Sequence, residues 1–140
     1  MDKPLYTAKA TAVGGRNGSV KSDDGVVDYN LSMPKSLGGD GDPKATNPEQ
    51  LFAAGYSACF GSALEMAAKE EKKDIDARVT ANVSIGKDEE SFGISVVMHV
   101  EVSGVKIDEA KELVARAHEV CPYSKATRGN IDVELNTELM

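Results

Sequence analysis

The sequence predicts an α+β fold with the element order β-β-β-α-β-β-α-β. Three observations predict it. First, two long runs alternate apolar with polar residues: Ala77, Val79, Ala81, Val83 and Ile85, then Phe92, Ile94, Val96, Met98, Val100 and Val102. That period of two marks strands with one buried face, and the polar turn from Gly86 to Ser91 makes them an antiparallel hairpin. Second, the stretch from Asn47 to Lys69 opens like a helix and carries no charge from Leu51 to Ala63. Third, Ala110, Leu113, Val114, Ala117 and Cys121 recur at helical spacing behind Asp108, a candidate cap. Hairpins with helices between them argue for antiparallel sheets, not for a doubly wound parallel sheet.

From the N-terminus, Leu5 to Val13 alternates, with Tyr6, Ala8, Ala10 and Ala12 on one side, and reads as a strand. Gly14-Gly15-Arg16-Asn17-Gly18 is a turn cluster. Val20 lies in a short second strand, Asp23-Asp24-Gly25 is a hairpin signal, and Val26 to Met33 is a third strand. Pro34 to Thr46, rich in Gly, Asp, Lys and Pro, is a loop long enough to be functional.

The central helix has a well-formed start. Asn47 is a good N-cap, Pro48 sits where a missing N–H costs nothing, and Glu49 suits the positive end of the dipole. Gln50 is placed to reach back to the cap. A helix small or apolar on every face is expected to be buried. Gly55, Cys59 and Ala63 share one smooth face, and Ala54, Ala58 and Ser62 share another; such faces admit a closely crossing helix. Lys72-Lys73-Asp74 marks the exit. Beyond the second helix, Pro122 biases Cys121 away from helical geometry, Tyr123 to Arg128 reads as a further turn closed by Gly129, and Ile131, Val133 and Leu135 alternate in a last strand.

The length of 140 residues fits a single domain, 1–140. With no Trp and few aromatics, one copy would bury a thin core that a dimer would thicken. A net charge of -7 repels phosphate backbones and argues against nucleic-acid partners. No apolar run reaches membrane-spanning length, and the N-terminus lacks the pattern of a signal peptide. Two cysteines without a secretory signal point to a reducing, cytoplasmic setting, where a cysteine pair is more often redox-active than a structural staple.

Cys59 and Cys121 each read, alone, as small core residues. Two helices packed against one sheet could bring the pair within reach of a disulfide. Zinc is not expected: Cys59, Cys121, His99 and His118 match no compact zinc spacing. His99 faces away from the apolar side of its strand, and His118 flanks its helix. Arg16 reads either as an exposed turn residue or as a side chain that flanking glycines aim inward. Glu49 is explained by the helix dipole alone. Phe52, Tyr56, Phe60 and Met66 are candidates for an apolar, substrate-binding mouth, with core packing an equal reading for each.

The run from Asn47 to Phe60 resembles the peroxidatic helix of organic hydroperoxide resistance proteins. Val120-Cys121-Pro122-Tyr123-Ser124-Lys125-Ala126-Thr127-Arg128-Gly129-Asn130 resembles their resolving-cysteine segment, and Gly14 to Gly18 their arginine loop. The resemblance spans essentially the whole chain. The related osmotically induced peroxidases share both cysteines but usually differ after the second. Tyr123 and Thr127-Arg128-Gly129-Asn130 favour the hydroperoxide resistance branch.

The resemblance implies an intertwined homodimer acting as a thiol peroxidase on alkyl and fatty-acid hydroperoxides. It implies Cys59 as the attacking thiolate, Cys121 as the resolving thiol, Arg16 as partner of thiolate and peroxide, and Glu49 as the group that orients Arg16. No bound cofactor is implied; the reductant is an external dithiol, the lipoyl group of a lipoylated protein. A non-catalytic small-molecule-binding module with core cysteines is the rival from another class. Glu49 and Cys59 are ten positions apart on one helix, roughly 15 Å along its axis and on different faces. An Arg16 that serves both is therefore expected to act across two chains.

Overall fold

The computed structural model describes residues 1–140, which form two compact units, Met1–Leu51 and Phe52–Met140. In the first, β1 (Ala10–Val13), β2 (Ser19–Ser22) and β3 (Asp28–Asn30) form an antiparallel sheet in that order. The outer strands are shorter than the expected Leu5–Val13 and Val26–Met33. β2 is four residues long, and beyond it the pairing is reduced to single bonds, Asp23 N–H to the Lys9 carbonyl and Leu31 N–H to the Gly18 carbonyl. Leu31 instead bridges to Thr46, which closes the base of the long loop and brings Asn47 back beside β3. Within the loop Lys35–Leu37 forms a 3₁₀ turn. Of this unit's residues only Leu31 is buried, while Tyr6, Val13, Val26 and Tyr29 are exposed.

Helix α1 (Pro48–Glu70) is unbroken. Asn47 Oδ1 accepts the Gln50 N–H at 2.8 Å, as a cap should. Gln50 does not reach back for the cap; its side-chain carbonyl accepts the Thr46 hydroxyl at 2.8 Å. The helix ends where expected, with Lys72 in left-handed geometry (φ 57°) and the Lys73 N–H on the Ala68 carbonyl.

In the second unit, β4 (Asp76–Lys87) and β5 (Phe92–Ser103) form the expected antiparallel hairpin. Helices α2 (Ile107–Val120) and α3 (Pro122–Thr127) follow, then β6 (Val133–Leu139). The sheet order is β4-β5-β6, but β6 runs parallel to β5, not antiparallel. The physical reason is the connection: α2 and α3 form a crossover that returns the chain to the end where β5 began, and a parallel pair requires such a crossover. The N-cap of α2 is Lys106, not Asp108. Its N–H is taken by the Glu109 carboxylate at 3.2 Å, which leaves Asp108 in the first turn beside the dipole.

The core is one cluster. It joins Tyr56, Phe60, Ala63, Leu64, Ala67 and Ala68 of α1 to Val96, Met98, Val100 and Val102 of β5 and the apolar stripe of α2. Within one chain, burial of α1 is one-sided: Ala54, Ala58, Ser62 and Met66 are exposed. No helix is long and apolar enough to cross a membrane.

Candidate active site

The four residues expected to carry chemistry fall into two pairs, one in each unit. Arg16 sits in a 3₁₀ turn, Gly15–Asn17. Gly14 and Gly15 adopt positive φ (82° and 61°), and a Cβ on Gly18 would strike the Val13 carbonyl, so glycine is needed for the turn to close. Asn17 Oδ1 accepts the Met33 N–H at 2.9 Å and pins the turn to the foot of the loop. Glu49 stands in the first turn of α1, and the Thr46–Leu31 bridge returns it to Arg16. The two meet as a bidentate fork, Nη1 to Oε2 at 2.8 Å and Nη2 to Oε1 at 2.7 Å. Both are largely shielded, with side chains 31% and 14% exposed. The guanidinium bonds hold the Glu49 carboxyl below its usual range against the opposing effect of burial, and the carboxylate raises Arg16.

The cysteines form the second pair. Both are free, and the Cys121 thiol donates to Cys59 Sγ at 3.5 Å. Cys59 is half-buried on α1, while Cys121 is fully buried at the corner that ends α2 and begins α3. Burial pushes the Cys59 thiol above its ordinary value. The Tyr123 backbone N–H opposes this, and the adjoining Cys121 adds to the rise, since two thiolates repel. Cys59 therefore needs a cation to become a nucleophilic thiolate at neutral pH.

The aromatic candidates divide. Phe52 packs edge-on against Tyr56 with ring centroids 5.9 Å apart, and Tyr123 leans on both rings. Tyr56 has no exposed surface, and neither has Phe60, which belongs to the core. Met66 is exposed and lies seven residues, or about 10 Å, along the helix from Cys59. Phe52 and Tyr123 thus keep an outward aspect near the cysteines. Gly55, assigned above to a helix-crossing face, makes room for a ring instead: a Cβ there would sit 2.8 Å from Tyr123 Oη. Of the two smooth faces, Ala54-Ala58-Ser62 is the open one.

Four further side chains stand beside the cysteines: Tyr123, Ser124, Thr127 and His118. Ser124 and Thr127 are buried polar residues of α3 that bond to Tyr56, and His118 bonds to Ser124. The sequence signals for them are the place of Tyr123, Ser124 and Thr127 in the resolving-cysteine segment and the spacing of Ser124, one helical turn past Cys121.

Residues 39–136 match the family described as OsmC-like protein. Over 137 residues the chain is 51% identical to the organic hydroperoxide resistance protein OhrA of Bacillus subtilis, covering 96% of this chain and 97% of that one. It is 50% identical over 136 residues to the organic hydroperoxide resistance protein of Xanthomonas axonopodis pv. citri, covering 96% and 95%. A crystal structure of an organic hydroperoxide resistance protein from Elizabethkingia anophelis superposes with a TM-score of 0.93 at 53% identity, covering 99% of both chains. With relatives this close over nearly its full length, the chain belongs to the OsmC-like family, on the branch of the organic hydroperoxide resistance proteins.

Proposed function

We propose that this protein is a cysteine-based peroxidase that reduces organic hydroperoxides to alcohols. The observation that carries the reading is the pair of free thiols, Cys59 and Cys121, held 3.5 Å apart on separate helices. The Cys59 thiolate attacks the terminal oxygen of a hydroperoxide, the O–O bond breaks, and the alkoxide leaves as the alcohol after taking a proton. Cys59 becomes a sulfenic acid. The Cys121 sulfur attacks it, an S–S bond forms and water departs. An external dithiol, a lipoyl group of a protein, returns both thiols by two exchanges and leaves as the cyclic disulfide. The relatives' names, organic hydroperoxide resistance protein, and the outward rings of Phe52 and Tyr123 support an apolar substrate. No bound cofactor takes part, and a reducing compartment such as the cytoplasm suits free thiols.

The working unit we propose is a homodimer in which Arg16 and Glu49 of one chain serve Cys59 of the other. A sheet whose unit buries only Leu31, and an open Ala54-Ala58-Ser62 face on α1, support a second copy that covers them. Arg16, already forked to Glu49, then supplies the cation that Cys59 needs. A peroxide panel tests the reading: alkyl hydroperoxides against hydrogen peroxide, with dihydrolipoamide and glutathione compared as reductants. Fast consumption of the alkyl substrate with the dithiol is expected. No turnover, or turnover surviving in Cys59→Ser, would overturn it.

A further inference from the structure

At the corner that carries Cys121, backbone bonds join Cys121 to Ala117 and Lys125, and the Arg128 guanidinium donates to the His118 and Glu119 carbonyls at 3.1 and 3.4 Å; the side-chain ties to α1 come from α3. Helix α3 is six residues long, too short to be stable alone, and Cys121 itself is extended (φ -62°, ψ 122°). Two buried hydroxyls of α3 face inward. Ser124 Oγ lies 2.8 Å from Tyr56 Oη and 2.8 Å from His118 Nδ1. Thr127 Oγ1 lies 3.2 Å from Tyr56 Oη and 3.1 Å from the Ser124 carbonyl. Tyr56 is one turn before Cys59 on α1, and Ser124 is one turn past Cys121. His118 is on α2, one turn before Cys121. Ser124 therefore ties together all three helices around the two sulfurs.

The protons of this chain are countable. It has four hydrogen bonds and three hydroxyl protons, so all four are made only if His118 Nδ1 carries a fourth. The bonds then run in one direction: Nδ1–H to Ser124, Ser124 to Tyr56, Tyr56 to Thr127, Thr127 to the Ser124 carbonyl. Loss of the Nδ1 proton leaves one of the four bonds unmade, and loss of the Ser124 hydroxyl strips His118 Nδ1 of its partner and leaves Thr127 as the one remaining tie to Tyr56.

We infer that Ser124, held by Tyr56 and His118, is a positioning residue for disulfide formation, keeping Cys121 within reach of Cys59 after Cys59 is oxidised. This rests on the peroxidase reading above. The sulfurs must close from 3.5 Å to about 2.0 Å, and a corner free to drift by an ångström or two loses most of that advantage. Oxidation of Cys59 requires no movement of Cys121 and is left alone. The unresolved sulfenic acid then meets a second peroxide and becomes a sulfinic acid.

The test is rapid-quench mass spectrometry of the full-length protein with cumene hydroperoxide. It separates the rate of Cys59 oxidation, the rate of disulfide formation and the sulfinic share. Ser124→Ala is expected to oxidise Cys59 within twofold of wild type, form the disulfide about tenfold more slowly and accumulate sulfinic acid. His118→Leu should show the same split. His118→Asn should restore wild-type partition, because its amide N–H stands where Nδ1–H stood. Wild-type partition in Ser124→Ala, equal slowing of both steps, or no difference between the Asn and Leu variants would overturn the inference. If wild-type protein itself forms no disulfide, the peroxidase reading fails first and the inference falls with it.

Discussion

Cys59 Sγ and Cys121 Sγ lie 3.5 Å apart, although 62 positions of chain separate them. The two sulfurs differ in access: Cys121 has no exposed surface, and Cys59 is half-buried. This difference in access supports the proposed roles, attack by Cys59 and resolution by Cys121. Cys59→Ser should abolish turnover. Cys121→Ser should oxidise once and then stall or proceed to sulfinic acid. Mass spectra after a single peroxide dose distinguish these, and identical behaviour of the two variants would remove the role assignment.

The Arg16–Glu49 fork needs a planar guanidinium. Arg16→Lys keeps the charge but makes one point contact where two parallel bonds stood. Single-turnover oxidation by an alkyl hydroperoxide should fall by at least about tenfold, on the order of 1.4 kcal/mol in the barrier. A lysine variant near the wild-type rate would reduce Arg16 to a turn residue.

Burial lifts the Cys59 thiol, so the cation that lowers it should be visible in a pH profile. Alkylation by iodoacetamide, followed from neutral to alkaline pH, should show its midpoint lower in wild type than in Arg16→Ala. Without Arg16 the midpoint should lie above that of an ordinary thiol. Coincident profiles would dismiss Arg16 as the thiolate's partner.

Glu49 links the same pair to stability. Its carboxyl is depressed in the folded chain, chiefly by Arg16. Its contribution is thus fully present above the ordinary carboxylate range of about 4 to 5 and is lost as pH falls through the depressed folded value. Thermal unfolding of wild type and Glu49→Gln should differ by a constant amount near neutrality and converge in acid. A gap that stays constant into strong acid would show that the fork does not titrate.

A shared site makes a prediction that a single-chain site does not. A Cys59→Ser chain and a Glu49→Ala chain, co-expressed and purified as a heterodimer by two tags, retain one site with both residues intact. About half of wild-type activity should return. A heterodimer no better than the Glu49→Ala homodimer would exclude the shared site.

Local patterning alone determined the order of strands and helices, the start of α1 at Asn47 and the break at Cys121-Pro122. Period-two alternation, caps and proline act over a few residues, so they are visible without a fold. The long motifs around Cys59 and Cys121 likewise pointed to the family. What the sequence left open depends on which distant residues meet. The parallel placement of β6 follows from where the α2–α3 crossover lands. The short β1 and β3 follow from the length of β2 between them. Gly55 falls on a smooth helix face by spacing, but the fold fills the space above it with Tyr123. Nothing in the sequence joins Ser124, Tyr56, His118 and Thr127 to one another. Only packing three helices together buries their polar atoms, and burial is what obliges them to bond to one another beside the cysteines.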